Sequence, residues 1–243
     1  MISEEARADI LAHAKEEFPN ECCGVVAIVR GRERYFRCAN ISSDPQNQFT
    51  MSPDDFAVAD DQGEITHIAH SHIHLPPIPS EADRVSCEAT GLPWVIVNPQ
   101  TEEWGGCEPC GYEAPLVGRQ HVWGVMDCWT IVRDWYRRER SIDLINVPRR
   151  KDFWKSGENP LGNNWRTAGF KKLDEDDQLE TGDVILMQIG DSDVPNHVAL
   201  YLGDDEILHH AENRLSSRDV YGGWYRKHTV MVVRYAANNS SPG

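Results

Sequence analysis

Two stretches of the chain carry residue types whose spacing points to hydrolytic chemistry. In "HSHIHLPPIPSEADRVSCEATG", from His70 to Gly91, three histidines fall within five residues and an aspartate follows a proline-rich turn. Residues i and i+2 of a strand point to the same side, so His70 and His72 can present their imidazoles to one point. The chain then turns at Pro76, Pro77 and Pro79 and starts a helix at Ser80, which places Asp83 in its first turn, facing back towards the strand end. Two neutral imidazoles and a carboxylate leave the fourth position of a tetrahedral zinc ion open, the arrangement of a catalytic site. His74 is also in phase, but the prolines behind it carry it past that point. The same residues have a plainer use, since Ser80-Glu81-Ala82-Asp83 is a helix-capping sequence that needs no metal.

The second stretch is "MDCWTIVRDWY", from Met126 to Tyr136. Asp127 suits an N-cap, which puts Cys128 at the first helical position, where unpaired amides and the helix dipole are expected to favour the thiolate. A base must then come from elsewhere in the fold. "NHVALYLGDDEILHHAEN" offers His197 on one strand and His209 or His210 on the next, joined by a turn at Gly203-Asp204-Asp205. An odd loop without a bulge puts His209 on the face of His197, whereas an even loop selects His210. A cysteine, a base and an orienting imidazole make a triad that hydrolyses amides. The alternative is a buried structural cysteine with two surface histidines.

The elements that must position these groups read as two units, an α/β unit and an α+β unit. Ser3 caps a first helix whose Ile10, Leu11, Ala14 and Phe18 share a face, and Pro19-Asn20 ends it. "CGVVAIVRGRERYFRCAN" reads as a hairpin turning at Gly31, "ITHIAHSHIH" as a strand, the segment after Ser80 as a helix ended by Gly91, and "PWVIVNP" as another strand. From "TEEWGGCEPC" onwards the periodicity is lost among Gly, Pro and Cys. The expected division is 1–108 for the first domain, 109–122 for a linker and 123–243 for the second domain. The second has a helix from Asp127 to about Arg140, then strands in "GDVILMQIG", "HVALYLG", "EILHHA" and "HTVMVVRYA", and a frayed tail "NNSSPG".

Composition narrows the function. The 243 residues carry a formal charge of −15, and the first 110 hold seven basic against nineteen acidic side chains, which disfavours nucleic-acid binding. The basic clusters "YRRERS" and "PRRKD" read as solvated helix faces. No apolar run is long enough to span a bilayer. The acidic, amphipathic N-terminus is not a secretory signal, so synthesis and assembly are expected in the cytoplasm. Seven cysteines without a leader argue against a disulfide framework. "CEPC" has metal-ligand spacing but no second pair, and reads as a connector.

The pattern His70, His72, Ser80 and Asp83 resembles the H-x-H-x7-S-x2-D signature of the JAB/MPN (JAMM) metalloproteases, and "PNECCGVV" resembles their upstream glutamate segment. The resemblance implies zinc held by His70, His72 and Asp83, Glu21 as the base, and Ser80 supporting the oxyanion. Ile73 stands where that family has proline. "DCWTIVRDWY", "GDVILM", "HVALYLG" and "ILHHA" are similar to NlpC/P60 cysteine peptidases. That likeness implies Cys128 as nucleophile, His197 as base and His209 as third member, with Trp129 and Thr130 replacing the usual small residues. The implied folds are a JAB/MPN-like (cytidine-deaminase-like) α/β sandwich followed by a papain-like NlpC/P60 domain. The two halves in this order resemble the lambda-type phage tail tip assembly proteins. This implies a virion tail tip location, other tail tip proteins as partners, and peptidoglycan stem peptides as substrate. A non-catalytic tail tip scaffold is the competing expectation.

Overall fold

The computed structural model describes residues 2–236, so the expected frayed tail lies outside the described residues. These residues form two compact units that divide between Glu113 and Ala114. Among them no helix is long and apolar enough to cross a membrane.

In the first unit, helix α1 (Glu4–Glu17) starts at Ser3, whose hydroxyl accepts from the Ala6 amide, a cap worth about 1 kcal/mol. Strands β1 (Cys23–Val29) and β2 (Arg32–Cys38) form the expected hairpin, with Arg30 and Gly31 both at positive φ. Helix α2 (Pro53–Gln62), which sequence reading did not expect, follows. Strand β3 (Glu64–Ser71) ends earlier than expected, leaving His72 just past its last residue. Helix α3 (Glu81–Thr90) runs from the Ser80 cap to Gly91 in the left-handed conformation. Strands β4 (Trp94–Val97) and β5 (Trp104–Cys107) complete a sheet ordered β2-β1-β3-β4-β5, antiparallel except for β3 beside β4.

β5 corrects the expectation that structure is lost from Thr101, and it takes Cys107 out of the connector. Its glycines are required by close approach, because a Cβ on Gly105 would lie 1.7 Å from the Pro77 carbonyl oxygen. The sheet is buried on both faces, which is why β1 reads as a continuous apolar run. Ile10, Ala14, Val26, Ala69 and Val97 pack on the α1 side, and Val25, Ala59, Ile68, Cys87 and Trp94 on the other.

In the second unit, helix α4 (Cys128–Arg140) buries Ile131, Val132, Trp135 and Tyr136 against a six-stranded antiparallel sheet. After α4 come the short helix α5 (Pro160–Asn164) and strands β6 (Phe170–Lys172), β7 (Val184–Met187), β8 (His197–Gly203), β9 (Glu206–His209) and β10 (Ser217–Val220). Helix α6 (Gly223–His228) and strand β11 (Thr229–Tyr235) end the described fold. The strand order is β10-β9-β8-β7-β11-β6. In the stretch expected as a linker, the Cys110 and Tyr112 amides bond to Glu88, while the Gly118 and Arg119 amides bond to Ser216.

"PRRKD" is neither helical nor wholly solvated. The Arg149 side chain is buried and its guanidinium meets the equally buried Asp127 carboxylate, which holds that carboxyl below its usual range. Arg149 also donates to the Val147 carbonyl at 2.5 Å. An isolated charge there would be costly, and each partner makes burial of the other tolerable.

Candidate active sites

The first site forms where β3 hands over to the proline-rich turn. His70 is 1% exposed and packed between Phe49 and Trp94. Its Nε2 lies 3.3 Å from Asp83 Oδ1, and His72 Nε2 lies 3.3 Å from Asp83 Oδ2. One ligand atom from each of the three residues lies within 4.8 Å of the others, the one such group among the described residues. His72 Nδ1 donates to the Pro76 carbonyl at 2.9 Å, which leaves Nε2 with a free lone pair facing the group. Neither nitrogen of buried His70 has a well-formed hydrogen bond.

Ligands of a tetrahedral zinc at roughly 2.0–2.1 Å stand about 3.3 Å apart, so both the spacing and the orphaned imidazole fit such an ion. The capping role holds as well. The Ser80 amide and hydroxyl donate to Asp83 Oδ2 at 2.7 and 2.8 Å, so Ser80 orients the carboxylate in this structure. Glu21 is 7% exposed, its backbone fixed by Asn40 and Pro45. Burial pushes its carboxyl up to about 8, against the opposing influence of His72. His74 is exposed and stands apart, as the prolines require.

The second site is built at the N-terminus of α4. Asp127 caps the helix, accepting from the amides of Gly124, Trp129 and Thr130 at 2.8, 3.1 and 3.1 Å, while the Asp127 amide donates to the Thr130 hydroxyl at 2.6 Å. Cys128 follows at the first helical position, as expected, but its thiol does not titrate as expected. Burial pushes it up to about 12, outweighing the Arg149 charge and the Val198 and Trp129 amides directed at the sulfur. The expected lowering by the helix end loses to desolvation because Cys128 is buried, only 2% exposed.

The β8–β9 hairpin settles which histidine faces His197. Its turn has two residues, Asp204 and Asp205, an even loop that by itself would select His210. A bulge between Tyr201 and Gly203 shifts the register by one, so Ala199 opposes His209 and His197 shares the face of His209. The rings meet edge to face, and His197 Nε2 lies 3.0 Å from His209 Nδ1.

The next link was not among the residues expected from the sequence. His209 Nε2 lies 2.9 Å from Asp219 Oδ2, and the Tyr225 hydroxyl donates to the same oxygen at 2.6 Å. Those two contacts hold the Asp219 carboxyl below its usual range, Tyr225 contributing most. Since Asp219 can only accept, His209 carries its proton on Nε2 and offers Nδ1 as acceptor. His197 must then donate through Nε2, which leaves its Nδ1 as the bare nitrogen. Burial and the neighbouring imidazoles depress His197 to about 3. Cys128, His197 and His209 line one cleft of about 800 Å³, together with His121, Trp123, Trp154 and Trp224. His210 takes no part in the relay and packs edge-on against His121, with ring centroids 4.9 Å apart.

Residues 103–234 match the family model of the NlpC/P60 family, and residues 3–105 match that of the prokaryotic homologs of the JAB domain. Fold and sequence together define a two-module chain, a JAB/MPN-like unit followed by an NlpC/P60 unit. Among solved structures, the NlpC/p60 domain of the peptidoglycan hydrolase SagA is 19% identical, covering 49% of this chain and 89% of its own, with a TM-score of 0.34. A JAB1/MPN domain protein from Archaeoglobus fulgidus is 20% identical, covering 47% and 94%, with a TM-score of 0.32.

Two curated relatives span both modules. Tail tip assembly protein K of Escherichia phage N15 is 39% identical over 228 residues, 93% of this chain and 92% of that one. Tail tip assembly protein K of Escherichia phage lambda is 37% identical over 191 residues, 79% and 92%. The chain belongs to the tail tip assembly protein K family.

Proposed function

We propose that this is a tail tip component with two hydrolytic centres, the second of which cleaves amide bonds in peptidoglycan stem peptides during host entry or tail assembly. The observation that carries the reading is the hydrogen-bonded series Asp219–His209–His197, which leaves His197 with a bare ring nitrogen, and His197 and Cys128 line the same cleft. In the resting pair both groups are neutral, so the proton moves only as the bond forms. Cys128 Sγ attacks the scissile carbonyl carbon and its proton passes to His197 Nδ1. The amide C–N bond then breaks, and His197 returns the proton to the leaving amine. Water, deprotonated by the same imidazole, hydrolyses the thioester and restores the thiol. The relay stabilises the transient imidazolium through its carboxylate end.

For the first unit the reading is a zinc-dependent peptidase or isopeptidase acting on a peptide partner such as a fellow tail protein. His70, His72 and Asp83 would hold the ion, which supplies Lewis-acid polarisation when bound. Glu21, buried and close enough to His72 and Asp83 to feel their charges, carries the proton. Ser80 holds Asp83 in place. The partners this implies are other tail tip proteins, with assembly in the host cytoplasm and residence in the virion tail tip.

The test for the second centre is digestion of purified cell-wall sacculi. The intact chain should release soluble peptide-bearing fragments and Cys128→Ala should not; equal release by the two overturns the assignment. For the first centre, stoichiometric zinc in the purified chain should vanish in the His70→Ala/His72→Ala variant. Metal-free wild type of normal fold overturns it. The depth at which Cys128 lies favours a second reading, a tail tip scaffold with vestigial sites. Virions carrying both Cys128→Ala and Glu21→Gln should then assemble and infect normally.

A further inference from the structure

The cleft holds more apolar ring surface than an amide-cleaving triad needs. Its lining includes Trp123, Trp154, Trp224 and Tyr225, and at about 800 Å³ it lies towards the upper end of the roughly 300–1,000 Å³ usual for small-molecule sites. Three of these rings are already employed. Trp123 donates from its indole nitrogen to Glu212 at 3.4 Å, Trp154 packs on Phe153 and Trp123, and Tyr225 holds Asp219.

Trp224 is different. It is 51% exposed, yet its ring is held in place by His228 at 4.1 Å with an interplanar angle of 33°, and edge-on by Tyr225 at 5.2 Å. The His228 ring is itself anchored by a 2.7 Å hydrogen bond between Nδ1 and the Trp224 carbonyl. A large indole that lines a cleft half exposed and is already packed by two neighbouring rings is a preformed stacking surface, since its ordering cost is met before any ligand arrives. Polar groups suited to hydroxyl and acetamido partners share the cleft: Asp191, Lys155 and Arg214, beside Glu212, which already accepts from Trp123.

We infer that Trp224 is a platform for a sugar ring, and that the substrate of this centre is a stem peptide still attached to its N-acetylhexosamine glycan. This rests on the peptidoglycan reading and narrows it. The apolar face of the pyranose stacks on the indole, the adjoining polar side chains take its hydroxyl and acetamido groups, and the peptide runs from there past His209 and His197 to Cys128. Because Tyr225 bonds to Asp219, the neighbouring Trp224 sits at the relay end of the cleft.

The test compares two synthetic substrates with the full chain, a disaccharide–tetrapeptide and the same tetrapeptide without sugar. The ratio of their kcat/KM values should be about tenfold in favour of the glycan-linked form, should fall towards unity in Trp224→Ala, and should recover in part in Trp224→Phe. Equal values in wild type, or a ratio that Trp224→Ala leaves unchanged, overturns the platform. If neither substrate is cleaved, the peptidase reading fails but the platform is still decided by binding. In Cys128→Ala, titration followed by tryptophan fluorescence should show the disaccharide–tetrapeptide binding about tenfold more tightly than the peptide. Equal or absent binding overturns the proposal.

Discussion

Asp219→Asn preserves shape and removes one charge, and the relay geometry determines its cost. Asp219 Oδ2 accepts from His209 at 2.9 Å and from Tyr225 at 2.6 Å. An amide turned with its oxygen to His209 keeps the proton pattern but exchanges a charge-assisted bond, about 1.5–3 kcal/mol, for a neutral one of about 0.5–1.5 kcal/mol. Turned the other way, its N–H donates to His209 Nε2, the proton moves to His209 Nδ1, and His197 is driven into the tautomer that cannot take the thiol proton. The fully buried aspartate of a serine-protease triad can be worth about 10⁴ in kcat. Asp219 has a 36% exposed side chain, so solvent screens it and the loss should be smaller. The expected fall is about 10- to 100-fold in kcat, with KM little changed and the melting temperature within a few degrees of wild type. Steady-state cleavage of a stem-peptide substrate measures it. A variant within twofold of wild-type kcat would show that the relay does not orient His197.

Three further outcomes are expected. With Cys128 raised to about 12 and His197 lowered to about 3, the pair stays neutral between those values, so thiol alkylation should accelerate with pH across the neutral range without a low-pH plateau; a thiolate absorbance step below pH 7 contradicts this. Arg149→Met should leave Asp127 uncompensated and cost about 3–5 kcal/mol in denaturant unfolding. Because Asp127 titrates lower in the folded state than in the unfolded chain, its contribution is present above the ordinary carboxylate value of about 3.9 and is lost as pH falls through the folded value, so wild type and variant should converge in stability in acid. Gly105→Ala should destabilise the first unit by about 1–3 kcal/mol by thermal melting, because its Cβ meets the Pro77 carbonyl; an unchanged transition contradicts the packing.

What could be read from sequence was local. The caps at Ser3, Ser80 and Asp127, the hairpin turn at Gly31 and the terminal Gly91 each express one residue's backbone preference, and all lie where expected. Helix α2 escaped because Ala59 is its one buried residue and its acidic run masks the period. β5 escaped because "WGGC" has the composition of a loop, while the fold uses those glycines for close approach to Pro77 and Trp94. Arg149 was misread because burial of a guanidinium depends on a carboxylate 22 residues away.

Asp219 left no signal in its own polar stretch. It reaches His209 because β10 pairs with β9 so that Ser217 opposes His209 and Asp219 falls two residues along on the same face. Recognising β10 as a strand would have sufficed to find it by parity. The bulge that selects His209 over His210 had no such route, since loop length alone points the other way.

The central claim is that His197 makes Cys128 the reactive one of the seven cysteines. Intact-mass and peptide mapping after exposure to a stem-peptide analogue carrying an electrophilic carbonyl at the scissile position tests it directly. One adduct, on Cys128, and a rate at least about tenfold lower in His197→Ala is the predicted result. An adduct on another cysteine, or a rate indifferent to His197, contradicts the account.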